Sequence, residues 1–299
     1  MSQTERNAVV TQSSSSSLTD DDVNAFWRDG YLVVKRLLPP PEAEELRRRA
    51  LDQLEDDHRA ELVVVQALRQ GEVHYPWGDL LTKPRLREVL LDPRVLGVTR
   101  ALLGAAPVYF GDSSYQVGSP ECHNNGMEWH RDNRVSDRLD LAGDDWKGRY
   151  TLIRLAFYLQ DHLFHSGGVA VQRGSHVAPS GSPVMVESET GDLVIWSLRT
   201  LHAGHSVRLR VLPRLVLEYR TMRFIPHLLR RKEERRRVAV FMTFGARDEH
   251  LSRYVEYLKT RDYFRDACAR SRFGEDVWTQ ARAAGLDVIR VLPNYGTPA

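Results

Sequence analysis

Within the stretch MEWHRDNR, residues 127–134, a histidine stands two residues before an aspartate. In an extended chain residues i and i+2 point to the same side. His130 and Asp132 can therefore present an imidazole nitrogen and a carboxylate oxygen to one ion while Arg131 is directed away. Two such ligands make up two-thirds of the 2-His-1-carboxylate facial set of non-haem Fe(II) oxygenases, which leaves three coordination positions open. The third ligand must come from a distant strand. A histidine hydrogen-bonded to a neighbouring carboxylate in a turn is the competing reading of the same spacing. Of the 11 histidines, His130 alone has an acidic residue two positions on.

The remaining reactive side chains point to little else. Cys122 and Cys268 are the two cysteines and form no C-x-x-C pair, so neither a thiolate zinc site nor a disulfide framework is expected. His74, His123, His162 and His165 have no partner at ligand spacing, and His176, in RGSH, is expected to be structural. A net charge of +2 and a pI near 8.5 are too mild to imply a nucleic-acid partner. The basic run RRKEERRR, 230–237, is expected to be a solvated connection.

These residues need elements to position them. With 299 residues, 42% hydrophobic and 27% charged, the chain is long enough for a well-buried core. No apolar run approaches the roughly 20 residues of a membrane helix, and the first residues lack the apolar stretch of a secretory signal. A cytoplasmic location and no membrane partner are the expectation. Residues 1–18, with a run of five serines, are expected to be a disordered tail, and 19–299 a single domain. Thr19 or Asp20 should cap a short helix ended by Gly30, YLVVKRLL reads as a strand, and PPPEAEELRRRALDQLEDD as a charged-faced helix. The segment from about 58 to 91 is left unassigned, except that EVHYPWGDLL within it reads as a long loop, with Tyr75 and Trp77 candidates to line or close a pocket. Pro93 opens and Gly104 closes a further helix.

Beyond it the apolar runs become short and β-rich: PVYFG, YTLIRLAFYL, GGVAVQRGS, PVMVES, GDLVIWS, GHSVRLRVL, RLVLEYRTMRF and RVAVFMTFG. Their spacing suggests an antiparallel sandwich or barrel over about 107–245, with helices following over about 247–285. The class is α+β.

Several pieces, in order, resemble the phytanoyl-CoA dioxygenase-like branch of the Fe(II)/2-oxoglutarate-dependent oxygenases, from about residue 20 to 222. FWRDGYLVVKRLLPPPEAEELRRR and LDPRVLGVTRALLG resemble the elements before its core. EWHRDN is similar to its segment with two iron ligands, GGVAVQRGSH to its NG…PGSH hairpin, and GD…LHAG…PR…YR to its distal histidine and arginine region. The resemblance implies a double-stranded β-helix, or jelly-roll, core. It implies that His130, Asp132 and His202 bind iron, with His205 the competitor for the third place, and that Arg214 anchors the distal carboxylate of 2-oxoglutarate. An arginine fork suits that carboxylate. The hairpin lacks the usual Asn-Gly and Pro-Gly pairs, and QVGSPECHNNGMEWH lacks the lysine that many members carry before the first ligand, which puts part of the co-substrate contact in question. Gln116 and Arg154 are candidates for polar contacts in the pocket, or for core or surface packing.

The implied cofactors are Fe(II), 2-oxoglutarate and O2. The implied reaction is hydroxylation of an unactivated C–H bond in a small molecule of secondary metabolism, with succinate and CO2 as co-products. In related halogenases the carboxylate position is a small residue, so Asp132 argues for oxygenation. Desaturation, epoxidation, ring formation, an acyl-CoA substrate, or a non-catalytic binding barrel are the alternatives, and the assembly is expected to be a monomer or homodimer.

Overall fold

The computed structural model describes residues 9–10, 18–68, 71–120, 128–133, 143–163, 165–204, 207–217, 221, 224–231 and 235–298. Helix α1 (Asp20–Asp29) begins on a capping box between Thr19 and Asp22 and stops at Gly30, whose left-handed conformation accepts the turn. Helix α2 (Pro40–Arg59) follows strand β2 (Tyr31–Val34), after β1 (Val9–Val10). The short helix α3 (Arg87–Leu90) leads to α4 (Pro93–Leu103), capped by Asp92 and closed by Gly104.

In the unassigned segment, and where a loop was expected over EVHYPWGDLL, strands β3 (Val63–Ala67) and β4 (Glu72–Pro76) form an antiparallel hairpin that adds to the main sheet. The valine-rich VVVQA run supplies the β-branched side chains such a strand favours. Of the expected tail, residues 1–8 and 11–17 lie outside the described residues, while β1 pairs in parallel with β2.

The core strands are β5 (Val108–Gly118), β6 (Leu152–Tyr158), β7 (Ala170–Arg173), β8 (Ser182–Met185), β9 (Leu193–Ser197), β10 (His202–Ala203), β11 (Arg237–Gly245) and β12 (Asp287–Val288). They form a large sheet in the order β1-β2-β9-β6-β11-β5-β4-β3, with β12 also on β5, and a small sheet β10-β7-β8. The core pairings among β5, β6, β9 and β11, and within the small sheet, are antiparallel. This is the jelly-roll core, with helices before it and the helices Glu249–Lys259, Asp262–Arg270 and Glu275–Ala283 after it. One difference concerns 207–231: the strands expected over GHSVRLRVL and RLVLEYRTMRF are replaced, among the described residues, by a single bridge between Leu209 and Arg230. The long strand next to β5 and β6 is β11. No helix of the described residues is long and apolar enough to cross a membrane.

Register decides which side chains look inward. Residues directly opposite in an antiparallel pair share a face. Gln116, Ala239 and Tyr158 are in one such row, and Trp196, Arg154 and Thr243 in another. Arg237 lies opposite Gly118, two residues before Ala239, and so belongs to the same face. Buried aromatic and aliphatic side chains, among them Phe26, Phe110, Leu155, Phe157 and Val240, fill the space behind.

Candidate metal centre

His130 and His202 come from chain segments 72 residues apart and meet through a two-bond bridge. His130 N donates to His202 O at 3.0 Å, and His202 N donates to His130 O at 2.9 Å. Asn133 N donates to Leu198 O at 3.1 Å, which holds the other end of the ligand-bearing segment. Asp132 projects to the same place as His130, as its spacing requires, and one donor atom from each of His130, Asp132 and His202 lies within 4.8 Å of the others.

The local hydrogen bonds fix which nitrogen faces this point. His130 Nδ1 donates to Glu128 O at 2.9 Å and His202 Nδ1 donates to Thr200 O at 3.0 Å, so each ring turns its Nε2 inward. Backbone carbonyls that hold the far nitrogen are the usual support of a metal-binding imidazole. Asp132 Oδ2 is 3.6 Å from His202 Nε2, 3.5 Å from Arg154 Nε, and accepts from Trp196 Nε1 at 3.3 Å.

Charge and burial favour a metal here. Burial pushes the His202 imidazole down to about 4, which keeps it neutral and its lone pair available. Burial opposes ionisation of Asp132, but Arg154 and the two imidazoles outweigh it and hold the carboxyl below the ordinary range. Burial likewise disfavours the charge on Arg154, and Asp132 with Asp112 more than restores it; Arg154 Nη2 donates to Asp112 Oδ2 at 2.9 Å. Two imidazoles and one carboxylate are a donor set that suits a divalent first-row ion.

The three residues open on a cavity of about 190 Å³. Gln116 and Arg154 both line it, together with Tyr158, Gln160, Trp196, Phe241 and Arg237. Arg214 does not. Its side chain is 79% exposed, donates to Glu187 Oε1 at 2.9 Å, and borders a separate surface groove with Leu212 and Leu215. Arg214, expected to serve this cavity, is thus not among the described residues that line it; the arginines in its wall are Arg154 and Arg237, the latter 8% exposed. Its Nη2 donates to Gly167 O, and Gly167, at φ +105°, allows the close approach, since a Cβ there would stand 2.4 Å from Arg237 Nε. Alternation in RVAVFMTFG carried the signal, because it puts Arg237, Ala239 and Phe241 on one face.

His205, the competitor for the third ligand place, lies outside the described residues, as do Cys122 and His123. His176 Nε2 donates to Trp27 O at 2.8 Å, and the buried ring does not line the cavity. His74 bonds His58 and Glu72. Neither Tyr75 nor Trp77 lines the cavity, although Val73 of the same strand does, and no residue beyond Phe241 is in the described lining.

The phytanoyl-CoA dioxygenase (PhyH) family model matches residues 26–208. An ectoine dioxygenase of Streptomyces coelicolor is 27% identical over 157 residues, 52% of this chain and 50% of that protein. The chain thus spans about half the length of the curated relatives it matches. EctD from S. alaskensis, solved with 2-oxoglutarate and 5-hydroxyectoine, has the same fold at TM-score 0.54 and 17% identity, over 80% of each chain. The non-haem α-ketoglutarate-dependent epimerase SnoN of nogalamycin biosynthesis matches at TM-score 0.53 and 18% identity, over 75% of this chain and 81% of its own.

Proposed function

The chain belongs to the phytanoyl-CoA dioxygenase (PhyH) family, and from that premise we propose that it is an Fe(II)- and 2-oxoglutarate-dependent dioxygenase that hydroxylates an unactivated C–H bond of a small molecule. The convergence of His130, Asp132 and His202 at the wall of a cavity that also contains a buried arginine carries this reading. When bound, iron and 2-oxoglutarate supply the oxidising power: O2 converts 2-oxoglutarate to succinate and CO2, and its second oxygen atom enters the substrate.

The chain's own residues divide the remaining work. His130, Asp132 and His202 hold the ion. Arg237 offers a permanently charged, planar donor set to the distal carboxylate of 2-oxoglutarate, the task first assigned to Arg214. Gln116, Gln160 and Tyr158 give the wall polar atoms, and Arg154 with Trp196 orients Asp132. Trp196 and Phe241 restrict water and present apolar surface to a carbon centre.

Within secondary metabolism, tailoring of a small molecule is the reading supported by the solved relatives, whose reported roles include nogalamycin biosynthesis. Those relatives are described as an epimerase and a carbocyclase, so the outcome depends on which substrate carbon is held near the iron. A direct check is succinate release. Purified protein supplied with Fe(II), 2-oxoglutarate and O2 should form succinate, more slowly without substrate, and the Asp132→Ala protein should form none above background. Equal succinate from both proteins refutes the assignment.

A further inference from the structure

Arg131, between the two ligands of the first segment, has no place in the cavity, yet its side chain makes more directed bonds than either neighbour. Its Nε donates to Arg199 O at 2.7 Å. Its Nη2 is shared among Ser175 O at 3.1 Å, Ala178 O at 3.1 Å and Pro179 O at 3.0 Å. Its guanidinium carbon lies 5.3 Å from the centre of the Trp146 ring, which also faces Arg199 at 5.1 Å. Among the described residues Arg131 forms no ion pair with a carboxylate, and burial lowers its readiness to hold a proton, so carbonyl dipoles and the indole face are what stabilise its charge there.

These acceptors belong to two other pieces of chain. Arg199 lies three residues before His202, and residues 175–179 form the turn between β7 and β8, the strands of the small sheet that carries β10. By contrast, the backbone of the segment 128–133 is tied to the 198–202 region by three hydrogen bonds only, two at His130 and one at Asn133. The segment is a bridge rather than a full strand. A side chain pointing the opposite way from His130 and Asp132 therefore supplies much of what fixes their separation from His202.

We infer that Arg131 is a positioning residue that sets metal affinity, by clamping the segment with His130 and Asp132 onto the segment that leads to His202; this rests on the assignment of those three residues as metal ligands. Arginine is required for its shape. Nε and Nη2 lie on one edge of a rigid plane and reach carbonyls of two different segments together, whereas a lysine ammonium carries the same charge at a single point. Groups that orient metal ligands from behind typically change metal affinity by about 10- to 100-fold when removed.

The test uses the full chain and Co(II) alone, read by its visible d–d absorption, with Arg131→Lys, Arg131→Gln and His130→Ala. Melting temperatures of all four proteins are measured without metal. Both Arg131 variants are expected to melt within a few degrees of the unmodified protein and to bind Co(II) about 10- to 100-fold more weakly, Lys failing to rescue, while His130→Ala abolishes the spectrum. Unchanged affinity in Arg131→Lys overturns the inference, as does a loss of affinity that merely tracks a loss of folding in both variants. If Co(II) binding survives His130→Ala, the ligand assignment itself fails and takes the inference with it, a result distinct from the first two.

Discussion

Arg214 and Arg237 both follow His202 in sequence and both precede an apolar run, so residue type does not separate them. Their surroundings do. Arg214 faces solvent and Glu187, and Arg237 is buried in the cavity wall. Removing one side of a charge-assisted hydrogen bond costs about 1.5–3 kcal/mol, roughly 10- to 150-fold in affinity. Arg237→Met should weaken 2-oxoglutarate binding by that factor in an anaerobic titration, and Arg214→Ala should change it less than about twofold. The reverse pattern would return the role to Arg214. His130 and Asp132 were legible because a two-residue spacing has a direct meaning in extended chain, and His202 through the resemblance of its surroundings. Arg237 was not singled out because its strand begins 35 residues after the histidine, beyond an intervening segment that contains an earlier Pro-Arg pair. Arg154 was legible as a polar wall residue, but its partnership with Asp132 and Asp112 depends on register between strands distant in sequence.

At the scale of elements, the end of the chain is fastened to the turn after β4 by a buried pair. Tyr295 OH donates to Asp79 Oδ2 at 2.5 Å, and Asp79 Oδ1 accepts from Leu81 N at 2.6 Å, while Trp278 and Phe273 pack around Tyr295. Burial pushes the Asp79 carboxyl up to about 6, against the hydrogen bonds that oppose the shift. A carboxyl that holds its proton more tightly when folded stabilises the fold at low pH, and that contribution is lost as pH rises from about 4 through about 6. The shift corresponds to at most about 3 kcal/mol. Asp79→Asn, which keeps an acceptor and cannot ionise, should therefore raise the melting temperature at pH 8 more than at pH 5; an equal change at both values would show that Asp79 is not the titrating group. Helix boundaries at Thr19, Gly30, Pro93 and Gly104 were readable because caps are local chemistry. The β3–β4 hairpin was not, since its valines pair with elements chosen by the tertiary fold, and aromatic and turn residues nearby favoured a loop.

For the molecule as a whole, β texture between helical ends was enough to predict an α+β chain with an antiparallel sandwich or barrel, because alternation and strand length are properties of single segments, while the jelly roll itself was implied by the family resemblance. Strand order, and the pairing of β11 between β5 and β6, required the long-range pairings themselves. The metal centre joins β10 of the small sheet to the segment before β6, so occupancy should be felt by the entire fold. Binding to the native state alone at 100 times Kd stabilises by about 2.7 kcal/mol, which against an unfolding entropy of about 0.6 kcal/mol/K for a chain of this size is a rise of about 4 °C in melting temperature. Fe(II) with 2-oxoglutarate, added anaerobically, should give that rise, and a chelator should remove it; no shift at saturating metal would mean that the ion is not held by folded protein.

The central claim is that one ion is bound by His130, Asp132 and His202 with room left for the co-substrate to chelate it. Its most direct test is an anaerobic titration of apoprotein with Fe(II) and 2-oxoglutarate, following the visible metal-to-ligand charge-transfer band, with His130→Ala alongside. The band is expected in the unmodified protein and absent from the variant. Folded protein that takes up iron without the band, or a variant that retains it, would contradict the account.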